Sequence, residues 1–281
     1  MSNTATHNPR VYVLGHADAE MQRLAEQAAF YADLTEDVFR RAGLAPGMRV
    51  LDVGCGAGDV SLLAAALVGP SGSVVGIDRS PQAIVTAQRR ATAAGVTNTR
   101  FDVAEIDALV PEVEESAFDA VVGRLVLLYQ PDPVAAVRAL TRVLRPGGII
   151  AFQEMAMHDA RSHPLVPTYQ QSVDWIIALY ERAGLEPDMG SKLFSIFHGA
   201  GLPNPEMIGA CRVEGGAGSP AYRYMTETIR SLLPMFERLG VATAAEMQVD
   251  TLEARMRAEA IDGACCLVLP TLIAAWTRTP S

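Results

Sequence analysis

The sequence predicts an α/β protein, with a mainly parallel, doubly wound sheet at its centre and helices on both faces. Three observations carry this prediction. Short apolar runs alternate with helix-patterned stretches from about residue 49 to residue 153. The first of these runs ends in three glycines at alternate positions, Gly54, Gly56 and Gly58, just before a helical pattern. After Met157 the alternation stops and longer helical patterns take over. Buried runs separated by helices imply parallel strands joined by crossovers, because a sheet buried on both faces needs helices on each.

The elements follow in order. Residues 1 to 16 read as irregular. From about Ala17 to Ala42 apolar residues recur at helical spacing (Met21, Leu24, Ala28, Tyr31, Leu34, Val38), and Gly43 offers a stop. Arg49 to Val53 reads as a buried strand, Asp59 to Val68 as a helix and Ser73 to Ile77 as a second strand. Ser80 is placed to cap a helix whose first residue is Pro81, and Gly95 to end it. Third and fourth strands are expected at 98–103 and 118–122. Asp132-Pro133 opens another helix, and Arg145-Pro146-Gly147-Gly148 turns the chain into a fifth strand, Ile149 to Gln153. Beyond Met157 the patterns predict helices at 167–183, 190–200, 220–239 and 244–260. A strand is expected at 207–213 and a last one at 263–274, where Pro270 marks an edge, bulge or bend. The expected organisation is one domain over 1–281: a helical cap (1–44), a core (45–157) and a C-terminal half (158–281) that carries further helices and the last strands.

Composition narrows the function. The chain has 281 residues, 49% of them apolar, which is enough for a full core. Its formal net charge is −9, Lys192 is its only lysine, and its arginines are scattered. A nucleic-acid binder needs a basic face to displace counterions, so nucleic acids and anionic membranes are not expected partners. The four cysteines (Cys55, Cys211, Cys265 and Cys266) lack zinc-like spacing, and free thiols suit a reducing compartment. The first twenty residues show no apolar leader core, and the apolar stretch from Cys265 to Trp276 is too short to span a bilayer. The expectation is a cytoplasmic protein.

Glycines after a first strand let the backbone turn sharply and approach a ligand, and the next helix presents unpaired N–H groups to it. Two ligand classes use such a turn. A dinucleotide favours a third glycine where this chain has Asp59, a carboxylate that would repel a pyrophosphate. Asp52, two residues before the glycines, suits a ligand that carries positive charge.

At this point the sequence resembles the class I S-adenosylmethionine-dependent methyltransferases. Val50-Leu51-Asp52-Val53-Gly54-Cys55-Gly56-Ala57-Gly58 matches their first motif. Val74-Val75-Gly76-Ile77-Asp78, Phe118-Asp119-Ala120-Val121-Val122 and Leu144-Arg145-Pro146-Gly147-Gly148 match later segments in the right order. The resemblance covers about residues 45–155. It implies a Rossmann-like sheet of seven strands, a helical cap and inserted helices forming a lid, with S-adenosyl-L-methionine as cofactor. By the same resemblance Gly54, Cys55, Gly56 and Gly58 line the methionine and ribose, Asp52 places the methionine end, and Asp78 accepts hydrogen bonds from the ribose hydroxyls. Glu105 would meet the adenine amino group, with Asp102 as competitor if the register slips, and Ile106 would lie against the ring. Arg79 and Arg124 stand at strand ends facing the site, Arg124 by the methionine portion. Tyr12 and Gln27 in the helical preface are further candidates, and His16 joins them if the preface folds over the cofactor.

Methyl transfer needs an in-line nucleophile held close, and a base only if that nucleophile must lose a proton. No Asp-Pro-Pro-Tyr or Asn-Pro-Pro-Tyr segment follows the fourth strand, where Arg124-Leu125-Val126-Leu127 stands instead, and no metal-ligand set is apparent. Glu154, His158 and His163 follow the fifth strand, where a substrate should lie. Glu154 and His158 are the candidate catalytic residues, His158 as a general base; the plain alternative makes the histidines ordinary loop residues. Apolar helical residues such as Tyr169, Trp175, Tyr180, Met225 and Phe236 suggest a lid over a small organic acceptor. The competing functions are an NAD-dependent oxidoreductase and a protein that binds S-adenosylmethionine without methylating.

Overall fold

The computed structural model describes residues 18–106 and 117–280, and of 18–29 the backbone only. Helix α1 (Asp18–Ala42) precedes an alternating run: β1 (Arg49–Val53), α2 (Asp59–Val68), β2 (Ser73–Asp78), α3 (Pro81–Ala93), β3 (Thr99–Val103), β4 (Phe118–Arg124), α4 (Pro133–Thr141) and β5 (Leu144–Ala156). The caps explain where helices begin. Ser80 Oγ accepts from the Ala83 N–H at 3.2 Å, and Asp132 Oδ1 from the Ala135 N–H at 2.9 Å, each with proline at the next position.

The second half holds β6 (Arg161–His163), α5 (Pro167–Arg182), α6 (Met189–Gly199), β7 (Glu206–Ala210), β8 (Val213–Gly215), α7 (Ala221–Arg238), α8 (Ala244–Met247), α9 (Val249–Asp262), β9 (Cys266–Val268) and β10 (Thr271–Arg278). Among the described residues the main sheet has seven strands, in the order β3-β2-β1-β4-β5-β10-β7. The first five are parallel, while β10 runs antiparallel to both β5 and β7. The order reverses between β1 and β4, so a crevice opens at their carboxyl ends.

Strand alternation sorts the core onto two faces. Val50, Val122 and Ile149 meet α1 and α2 on one side. Leu51, Val121, Ile150 and Phe152 face a larger cluster on the other, which continues through Tyr169, Leu193, Tyr222 and Met256.

Three features depart from the sequence expectation. A second sheet, β6-β9-β8, packs short strands from three distant segments, and only its register partners across the chain define it. The single last strand expected at 263–274 is two strands, β9 and β10, divided at Leu269-Pro270. The helix expected at 244–260 is broken at Gln248, whose left-handed backbone (φ 49°) ends α8 and starts α9.

Candidate active site

The glycine turn sits at the crevice. Gly54, Gly56 and Gly58 all have positive φ (67°, 52° and 86°), which side-chain-bearing residues resist. A Cβ at Gly54 would stand 2.5 Å from Val126 Cγ2, and one at Gly58 would stand 3.0 Å from the Ala87 methyl. These glycines keep the turn bare where a ligand would lie. Asp78 fixes the turn from the end of β2: Oδ2 accepts the Gly56 N–H at 3.0 Å and Oδ1 the Ser80 N–H at 2.8 Å. A carboxylate has further lone pairs, so both oxygens can still accept hydroxyl protons. Cys55 is buried in the turn, and burial pushes its thiol up, so it acts as a small neutral side chain.

Asp52 is buried behind the turn. Its Oδ2 accepts from Ser61 Oγ at 2.5 Å, while Oδ1 is buried without a partner. Burial is the main reason its carboxyl is pushed up to about 7; the Ser61 hydrogen bond and the Arg124 charge oppose that rise. Arg124, at the end of β4, reaches the same region and donates to Thr35 Oγ1 of α1 at 3.0 Å. Burial holds its guanidinium below the usual value.

A cleft of about 860 Å³, open mouth included, runs from this turn toward the C-terminal elements. Gly54, Cys55, Gly56 and Ala57 floor one end beside Asp59 and Arg124. Leu128, Tyr129, Met155, Tyr180 and Met189 wall the other, with Glu154 and Glu186 among them. Glu154 is wholly buried at the end of β5. Its Oε1 accepts the N–H groups of Val126 (2.8 Å) and Leu127 (2.6 Å), and Oε2 has no partner. Burial pushes this carboxyl up to about 8 against the pull of those N–H groups.

The remaining sequence candidates fall outside the cleft. His158 is exposed on the rim, where its Nδ1 lies 2.6 Å from Asp188 Oδ2, so the structure does not bring it together with Glu154. His163 is exposed in β6. Arg79 and Glu105 are exposed, Ile106 is buried against the main core, and Asp102 pairs with Arg100 at 2.6 Å. Tyr12 and His16 lie outside the described residues, as does the side chain of Gln27. Contrary to the sequence expectation, the Asp59 carboxylate pairs with Arg90 at 2.5 Å, so its repulsion of a pyrophosphate is largely neutralised. The missing third glycine still stands. Sequence reasoning missed Leu125, Leu128, Tyr129, Glu186, Pro187 and Met189 as cleft residues. Their one local signal is position: the first three follow β4, at the crevice.

A seven-stranded sheet in this order, with one antiparallel strand and a glycine turn after β1, defines a class I methyltransferase fold. A family profile described as a methyltransferase domain matches residues 44–182. Over these residues the chain carries a methyltransferase domain of the class I S-adenosylmethionine-dependent type. Over 112 residues it is 38% identical to a ubiquinone biosynthesis O-methyltransferase of Paracidovorax citrulli, covering 39% of this chain and 45% of that one. It is also 38% identical over 121 residues to an aklanonic acid methyltransferase of Streptomyces sp. (strain C5), covering 43% and 54%. The chain thus spans about half the length of these curated relatives. The solved structure of a geranyl diphosphate methyltransferase in complex with S-adenosylmethionine shares the fold, with a TM-score of 0.53, 19% identity, and coverage of 92% of this chain and 90% of that one.

The family's cofactor is S-adenosylmethionine, and the residues present fit it. The bare turn leaves room that a Cβ would fill at Gly54. Asp52 supplies a buried acceptor atom without a partner next to a buried guanidinium, a pairing suited to a group that carries both ammonium and carboxylate. Gly54, Cys55, Gly56, Asp52, Asp78 and Arg124 are the residues that would hold it.

Proposed function

We propose that this protein transfers the methyl group of S-adenosylmethionine to a small organic acceptor by in-line displacement. One observation carries the reading: the cleft is continuous from the glycine turn to an apolar wall of Leu128, Met155 and Met189. Cofactor and acceptor would share one space. When bound, the cofactor supplies an electrophilic methyl group on a positive sulfur. The chain's part is to orient it through Asp52, Asp78 and Arg124 and to hold the acceptor in line, an arrangement that can supply much of the rate. The names of both curated relatives point to small organic acceptors, which supports the same class here. Residues 45–157 and the elements after 158 would act as one unit, since their side chains share a core cluster. A cytoplasmic location is consistent with four unpaired cysteines.

The test is calorimetric titration with S-adenosylhomocysteine and with NAD, followed by incubation with methyl-labelled cofactor and a panel of hydroxylated and amine metabolites. Binding of the first compound alone, with label transfer, is the expected result. Binding of NAD alone would make the protein an oxidoreductase. Cofactor binding with no label transfer across the panel would make it a non-methylating binder.

A further inference from the structure

Three carboxylates line the cleft among the described residues, and their surroundings differ. Asp59 is paired with Arg90, and Glu186 with Lys192. Glu154 has no ion-pair partner, no exposure and one oxygen without a hydrogen bond. The other charged and titratable groups lining the cleft are Cys55 in the turn, Asp59 from α2, Arg124 from β4, Tyr129 after β4, Tyr180 from α5 and Glu186 before α6, and none of them pairs with Glu154. The His158–Asp188 pair stands at the rim, and the β10 neighbour in register is the uncharged Ile273.

We propose that Glu154 is the proton acceptor of this cleft, ionised when a cation is seated at the glycine turn and placed to take through Oε2 the hydroxyl or amine proton of the methyl acceptor. The proposal rests on the methyl-transfer reading. Its geometry comes from the Oε1 contacts. Two backbone N–H groups occupy Oε1, so in the neutral acid the proton sits on Oε2. Burial without a counter-charge favours that neutral form, and a nearby cation favours the carboxylate. The base would therefore form as the cofactor arrives. In the transfer, the acceptor's oxygen or nitrogen bonds to the methyl carbon as the carbon–sulfur bond breaks. The sulfur keeps that electron pair and becomes a neutral thioether. The acceptor's proton passes to Oε2 and leaves for solvent when the cleft opens.

Glu154→Gln tests this with little change of shape. The amide carbonyl must face the Val126 and Leu127 N–H groups, which leaves NH₂ where Oε2 stood: a mimic of the neutral acid that cannot ionise. Wild type and variant are titrated with S-adenosylmethionine and with S-adenosylhomocysteine at pH 7, in two buffers of different ionisation enthalpy. The wild type should release on the order of 0.5 proton or more with the sulfonium and less with the thioether. The variant should bind both ligands and lose the difference between them, while any release from Asp52, which would face the ammonium common to both ligands, remains. Equal release from both proteins, or loss of release only in Asp52→Asn, overturns the assignment. An infrared difference spectrum gives a variant-independent check: a protonated-carboxyl band in the wild type should vanish on S-adenosylmethionine binding, and its persistence also overturns the proposal. With any acceptor that the labelled panel identifies, Glu154→Gln should lower kcat/KM at least about a hundredfold and abolish its rise with pH; an unchanged pH profile counts against the proposal. Failure of the wild type to bind either ligand would instead sink the methyl-transfer reading.

Discussion

Asp52 and Glu154 sit on opposite faces of the sheet, each with one carboxyl oxygen satisfied and one not. Strand alternation separates them: Asp52 shares the face of Val50, and Glu154 that of Phe152. Both carboxyls hold their protons longer in the folded chain, to about 7 and about 8, than they would unfolded. The sign follows. Their contribution to stability is fully present below pH 4 or so, is lost as pH rises through 7 and 8, and is flat above that, at about 1.4 kcal/mol per unit of raised pKa. Glu154→Gln should therefore come closest to the wild type in urea denaturation at pH 4 and exceed it increasingly up to pH 9. Parallel stability curves would show that burial is not what sets this carboxyl. Asp78 is tied into the fold by its hydrogen bonds. Asp78→Ala removes the acceptor for the Gly56 and Ser80 N–H groups, so it should cost about 1–2 kcal/mol of stability. It should also weaken S-adenosylhomocysteine binding at least about tenfold, roughly 1.4 kcal/mol. Unchanged affinity would remove Asp78 from the cofactor site.

The turn after β1 works as a unit with the segment after β4. Leu125 is held at φ 57° with its N–H on the Gln153 carbonyl at 2.8 Å, and this brings Val126 over Gly54. Gly54→Ala should cost at least about 1 kcal/mol for the left-handed backbone alone, with the clash on Val126 added. Val126→Ala in the same chain should relieve the Cγ2 part of the clash but leave the Cβ contact at 2.9 Å and the backbone cost, a partial non-additivity that a double-mutant cycle measures. Purely additive costs would mean that the two segments do not touch as described. Much at this level was legible in the sequence. The apolar runs of β1, β2 and β4, the glycine turn, and the Ser80-Pro81 and Asp132-Pro133 helix starts are local signals, and each forms where it was expected. What escaped depends on distant partners. Nothing near Val213 announces β8, because its only strand partner among the described residues is β9, some fifty residues on. The break at Gln248 falls within an unbroken helical pattern. No local signal separates Glu154, buried on two backbone N–H groups, from His158, committed to Asp188 at the rim thirty residues away.

At the scale of the molecule, the N-terminal helix and the C-terminal helices close over the same edge of the sheet. Phe30 stacks on Tyr224 of α7 with centroids 4.8 Å apart, Tyr31 meets Tyr224 edge-on at 6.0 Å, and Arg212 donates to the Phe30 carbonyl at 2.6 Å. Thr35 carries this contact on to Arg124 at the cleft. The sheet does not close in chain order. Strand β10 comes after every other described strand in the chain yet lies inside the sheet, between β5 and β7. Until it pairs, β5 has a bare, apolar edge and β7 has no neighbour in the main sheet. A chain stopped after Leu269 should collect in the insoluble fraction on expression, and a soluble, cofactor-binding product would contradict this. For a growing polypeptide, made at about 5–20 residues per second, the interval is real time. The ribosome delivers the missing middle of the sheet after both its flanks, so the nascent chain must wait with an adhesive edge open, and chaperone demand should peak in the moments before Thr271 to Arg278 emerge.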